Sequence, residues 1–146
     1  MSDVKNKPTL ILGIGNILLG DEGFGVHVAQ GLQEIDLPSH IRVREGGVSG
    51  FNLLGELDGV ERLLVVDVMI MDQPPGYLRL FKPGSNIEPG KRIVSFHQMG
   101  VIELIQIWSL LGYEPELFFL VTQPGKMECS MELSPPLRCA TSRAIE

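Results

Sequence analysis

Asp21, Glu22, Asp67 and His97 are the residues of this sequence whose types and spacing suit shared chemistry. Asp21 and Glu22 close the glycine-rich run Gly13-Ile14-Gly15-Asn16-Ile17-Leu18-Leu19-Gly20, and Gly23 and Gly25 follow them. Asp67 interrupts the apolar window Leu63 to Met71. A carboxylate in such a run is costly unless it is paired, hydrogen-bonded or bound to a metal. His97 sits in Ser95-Phe96-His97-Gln98-Met99-Gly100, just ahead of a helical pattern. Singly, each has a plain account. The two acids complement a helix dipole, Asp67 accepts loop amides, and His97 caps a helix or is solvated. Together they offer a Glu, an Asp and a His at strand-to-helix or strand-to-loop junctions. That is a ligand set with open positions, suited to zinc or nickel rather than to calcium or magnesium.

The glycine-rich run needs its own account, because such a turn often cradles phosphate. A dinucleotide fingerprint requires G-x-G-x-x-G, and Leu18 stands where the third glycine belongs. Gly15 to Gly20 has the glycine spacing of a P-loop, but Asp21 and Glu22 replace the Lys and Ser/Thr that should follow. Each carboxylate would repel a phosphate by about 1 kcal/mol even in water at roughly 4 Å. The turn is of the wrong sign for an anion and of the right sign for a cation. Other motifs fall short. Gly47-Val48-Ser49-Gly50-Phe51 lacks the second glycine of a nucleophile elbow, and H-E-x-x-H is absent. His27 and His40 read as solvated, and Trp108 and the methionines read as core filling.

The elements that must position these residues alternate. Thr9 to Ile14 and Arg62 to Val68 are apolar, β-branched runs of the kind that form buried parallel strands. Ile41 to Glu45, Tyr77 to Phe81 and Leu117 to Val121 read as further strands, the second of them at an edge. Gly20 to Gln33, with Phe24, Val28 and Leu32 four apart, predicts an amphipathic helix. Met99 to Leu111 predicts another, stopped by Gly112, and Phe51 to Leu57 a short one. Ser134 before Pro135 and Pro136 reads as the N-cap of a last helix, Leu137 to Ile145. The fold class is α/β, a three-layer sandwich with a mainly parallel sheet, in a single domain over residues 1–146. In such a sheet, ligands sit in the crevice at the carboxyl edge, where strands give way to helices.

The totals narrow the partners. With 12 Lys and Arg against 18 Asp and Glu, the net charge is -6. This argues against nucleic acid and against an anionic membrane surface. No window is long and apolar enough to span a bilayer, and the N-terminus lacks the apolar core of a signal peptide. Cys129 and Cys139 lack C-x-x-C spacing and read as reduced thiols, so the expected location is the cytoplasm.

The order Gly13-x-Gly15-Asn16-x-Leu18-x-x-Asp21-Glu22-Gly23-x-Gly25, then Val65-Val66-Asp67, then Ser95-x-His97-Gln98-x-Gly100 resembles the nickel-iron hydrogenase maturation endopeptidases. Gln98 after the histidine resembles the uptake-hydrogenase branch. Pro74-Pro75-Gly76, Leu111-Gly112-Tyr113, Gln123-Pro124 and Leu133-Ser134 extend the likeness along nearly the whole chain. The resemblance implies a twisted five-stranded sheet with helices on both faces. It implies removal of a short C-terminal extension from the hydrogenase large-subunit precursor once nickel is in place. It makes Glu22, Asp67 and His97 the residues that contact that nickel, which the precursor carries; zinc or cadmium could stand in for it. Asp21, Glu45 and Gly46 are then expected to face the substrate. No separate Ser, Cys or Asp nucleophile is identifiable, so any catalytic role falls to the metal-contacting three. The partner is the precursor, met by a monomer. Two departures bear on precursor choice. Glu45-Gly46-Gly47-Val48 stands where the family usually has Asp-Gly-Gly-Thr. Val68-Met69-Ile70-Met71-Asp72 replaces a loop that usually carries an Ala, a second acid and a Gly. The Glu45 and Val48 substitutions motivate the alternative of a non-catalytic module that senses metal or peptide.

Overall fold

The computed structural model describes residues 7–47, 59–82, 109–112 and 114–146. Five strands form one sheet: β1 (Thr9–Ile14), β2 (Ile41–Gly47), β3 (Arg62–Val68), β4 (Leu78–Phe81) and β5 (Glu116–Thr122). Two α-helices are described, α1 (Phe24–Gln33) and α2 (Pro135–Ile145), and a 3-10 turn over Gly20–Gly23 leads into α1. The strand order is β2-β1-β3-β5-β4. All pairings are parallel except β4 with β5, which is antiparallel. The sheet is therefore mainly parallel with one reversed edge strand, as its hydrophobic pattern predicts.

Alternation along the strands divides the core in two. One face carries Leu10, Leu12 and Ile14 of β1, Leu63 and Val65 of β3, and Phe119 and Val121 of β5. The opposite face buries Val43, Val66 and Val68 against Phe24, Val28, Ala29 and Leu32 of α1 and Leu137 and Ala140 of α2. Both described helices thus lie on the same face. The helices expected over Phe51–Leu57 and over most of Met99–Leu111 fall outside the described residues.

The boundaries differ from expectation at informative places. The predicted helix Gly20 to Gln33 is a 3-10 turn for its first four residues and becomes α-helical only at Phe24. β2 runs on to Gly47, whereas the last helix begins at Pro135 directly after Ser134, as expected. Prolines suit that start, since neither has the N–H that a first turn leaves unbonded.

Candidate functional site at the carboxyl edge of the sheet

From β1 the chain passes through α1 to β2 on one side, whereas β3 lies on the other side of β1. The loops leaving β1 and β3 therefore diverge and open a crevice between the carboxyl ends of these two strands. Open α/β sheets place their ligands at such a reversal point. Glu22 follows β1 and Asp67 is the last residue but one of β3, so the topology brings both to the carboxyl edge where this crevice lies.

Backbone contact fixes how closely the elements that carry them approach. A Cβ on Gly13 would fall on the carbonyl oxygen of Gly25, and one on Gly25 would fall on the carbonyl oxygens of Val66 and Ile14. The start of α1 thus rests directly on the peptide that precedes Asp67, with no side chain between. Gly15 has φ +146, and a Cβ there would fall on the carbonyl oxygen of Glu22. The glycines serve close approach, which a side chain at any of these positions would prevent. Glu22 ends up half-buried in the 3-10 turn, and Asp67 is fully buried at the end of a central strand. His97, the third expected ligand, falls outside the described residues. Among the described residues no three metal-binding side chains gather into one group.

Asp21 behaves differently from its neighbour. It is 0% exposed and its carboxylate accepts four hydrogen bonds. The amides of Gly125 and Lys126 donate to Oδ2, each at 2.7 Å. The amide of Ser134 donates to Oδ1 at 2.7 Å, and its hydroxyl to Oδ2 at 2.8 Å. Burial alone would raise the pKa of Asp21, but these bonds outweigh it and hold the carboxyl below its ordinary value of 3.8. Asp21, expected to face the substrate, has no surface with which to do so. Three residues per 3-10 turn send neighbouring side chains about 120° apart, and the adjacent acids take different surroundings accordingly.

Ser134 also departs from expectation. It stands at the N-cap of α2, but its side chain makes no capping bond to that helix. Its hydroxyl turns to Asp21 instead, and Asp21 in turn receives the Ser134 amide. The acid that the sequence places at the start of α1 thus serves the start of α2. Ser134, Gly125 and Lys126 are the positions that sequence reasoning missed as partners of this turn. No local signal could have shown a bond across more than a hundred residues.

Glu45 and Gly46 lie at the carboxyl end of β2, on the far side of β1 from Asp67. Gly13 pairs with Glu45 and Ile14 with Gly47, so a bulge leaves Gly46 between them. Gly46 is buried, and a Cβ there would approach side-chain atoms of Ile14 and Leu12 to 2.9 Å. Glu45 is exposed, with Oε1 accepting from Gln30 Nε2 of α1 at 3.1 Å. A further polar anchor follows β3, where Gln123 Oε1 accepts the Met71 amide at 2.6 Å. It ties the loop after Asp67 to the end of β5. Leu18, Ile70, Met127 and Met131 are 56, 46, 44 and 63% exposed on loops at this edge and give it an apolar rim.

Known proteins resemble this chain in sequence and in fold. The profile of the family described as hydrogenase maturation protease matches residues 26–146. The match begins past Glu22, so it is independent of the turn. The hydrogenase expression/formation protein HupD of Bradyrhizobium diazoefficiens is 34% identical over 94% of this chain and 73% of its own length. The HupD of Rhodobacter capsulatus is 35% identical over 88% of this chain, which spans 62% of that relative, under two thirds of its length. In three dimensions the chain is similar to the hydrogenase maturating endopeptidase HybD from Escherichia coli. The TM-score is 0.82 at 26% identity, covering 94% of this chain and 86% of that one.

Proposed function

Since this chain belongs to the hydrogenase maturation protease family, we propose that it removes the C-terminal extension of the nickel-loaded large-subunit precursor of a nickel-iron hydrogenase. The observation that carries this reading is the crevice between β1 and β3. There Gly25, in the helix that directly follows the Glu22 turn, rests on the peptide that precedes the buried Asp67. Glu22 and Asp67 supply oxygen donors and His97 an imidazole nitrogen, a mixed set that fits nickel. The nickel belongs to the precursor, so the three side chains read whether it is present. It can also polarise a carbonyl or acidify water when brought to the site.

The substrate is an extended chain end, and the apolar rim of Leu18, Ile70, Met127 and Met131 suits such a segment. One peptide bond is hydrolysed: water adds its hydroxyl to the carbonyl carbon and its proton to the leaving amine. Glu45 flanks the crevice on the β2 side, exposed where the precursor would approach and held by Gln30, whereas Gly46 is buried behind it. Asp21 contributes from beneath. No helix among the described residues is long and apolar enough to cross a membrane, and the reaction belongs with precursor assembly in the cytoplasm. A monomer with an open carboxyl edge suffices to act on a folded partner.

The test is incubation of the chain with nickel-loaded and nickel-free precursor, read by mass. Cleavage of the loaded form alone is expected. Equal cleavage of both, or of neither, would overturn the reading; tight binding with no change in mass would favour a sensing module instead.

A further inference from the structure

We propose that Asp21 is the positioning residue of this site, a buried clamp that fixes the backbone on which Glu22 is carried. This rests on the reading of Glu22 as the carboxylate that meets the precursor's nickel. Two loops with no sequence proximity are stitched together around Asp21. Its carboxylate gathers the amides of Gly125, Lys126 and Ser134 and the Ser134 hydroxyl. Its own amide donates to the Lys126 carbonyl at 2.8 Å, and the Gly20 amide donates to Ser130 at 2.7 Å. Ser130 completes the seam by donating to the Leu18 carbonyl at 3.0 Å. Gly20, at φ +56, is turned so that a Cβ would lie 2.7 Å from the Lys126 oxygen.

The residue before Glu22 is therefore held on both its side chain and its amide. The residue after it, Gly23, is held by contact: a Cβ there would come within 3.0 Å of Ile17 Cα. The Glu22 carbonyl itself is seated on Gly15. Glu22 has a fixed backbone and a half-buried side chain, as pre-organised ligands require. The fixed part depends on a carboxylate that never meets the substrate. A neutral amide in its place would turn an NH2 group toward donors and undo the clamp.

The experiment compares the wild-type chain with D21N and S134A, at a temperature where circular dichroism shows each fully folded. Against nickel-loaded precursor, kcat per folded molecule is expected to fall at least ~10-fold in D21N and roughly 2–5-fold in S134A, with KM within about 3-fold. Amide exchange of the Gly20 and Asp21 N–H groups should quicken in both variants, because those bonds run from the turn to the clamped loop. A stabilising role alone would leave kcat per folded molecule unchanged, and that result overturns the proposal. Faster exchange confined to Gly125, Lys126 and Ser134 also overturns it, since the loop would then loosen without the turn. Should D21N fail to fold, S134A decides on the same two readouts. Loss of cleavage in the wild type as well would strike the parent reading of the site, and the exchange result would still judge the clamp.

Discussion

The two ends of the sheet hold carboxylates in opposite ways. At the carboxyl edge Asp21 is sealed from water and balanced by amides and one hydroxyl. At the amino edge Glu116 lies on the surface among cations. Lys82 Nζ is 3.0 Å from Oε2, and Lys7 Nζ and Arg62 Nε are 3.6 and 3.8 Å from Oε1. Both carboxyls are held below their ordinary values, Glu116 chiefly by the Lys82 hydrogen bond and then by its charge. The similarity is superficial. Surface charges are screened by salt and ordered only at an entropic cost, whereas buried amides have no alternative partner. Exchange of the acid should therefore be tolerated at the amino edge and not at the carboxyl edge.

The largest effect expected is at the crevice itself. Asp67→Ala and His97→Ala should leave the chain folded and abolish precursor processing. The loss should exceed the about 10–100-fold typical of an outer-shell partner. Normal processing by either variant would remove that residue from the nickel-contacting set.

Next comes Asp21→Ala. It strips the partner from several buried donors, each costing about 1–3 kcal/mol, so a loss of roughly 3 kcal/mol or more is expected in a urea titration at neutral pH. Because the folded carboxyl titrates below 3.8, its contribution is complete above the unfolded value and drains away as pH falls through the folded one. The gap between wild type and variant should therefore narrow in acid. A gap that is constant down to pH 2 would mean that the charge of Asp21 is not what stabilises.

Gly25→Ala should cost about 1–3 kcal/mol, the range for overpacking, and slow processing too, because the added methyl meets backbone oxygens of both β1 and β3. Comparison of its activity per folded molecule with that of Gly31→Ala on the same helix sharpens the point. A Cβ at Gly31 meets only the end of the Ile145 side chain, which can move. Smallest of all is Glu116→Gln. Its urea midpoint should shift slightly in low salt and coincide with that of the wild type in high salt. A large, salt-independent shift would erase the contrast between the two edges.

Much of this was legible in the residues. Arg62 to Val68 announced a central strand because continuous burial leaves no room for polar alternation. Asp67 stood out for the same reason. Asp21 and Glu22 gave the turn the wrong sign for a phosphate, since the sign of a charge pair needs no structure to be read. The division of labour between them was hidden. It depends on a 3-10 turn in place of the first α-helical turn, and on amides supplied by residues 125, 126 and 134. Ser134 illustrates the limit well. Its type and its place before two prolines spelled an N-cap, yet its hydroxyl donates a charge-assisted bond to the Asp21 carboxylate and its oxygen accepts no amide of the helix's first turn. The bulge at Gly46 was equally silent, because register is a property of two strands and not of one.

The Asp21–Ser134 contact also sets a schedule for assembly. It closes a loop spanning most of the chain, and contacts of such long sequence separation form late and slowly. During synthesis from the N-terminus, the turn that bears Glu22 emerges first, and the groups that immobilise it emerge last. A nascent chain carries the acid without the grip. Competence at the site therefore arrives with the final helix, and a chain cut short before residue 134 would lose it from the opposite end of the sequence.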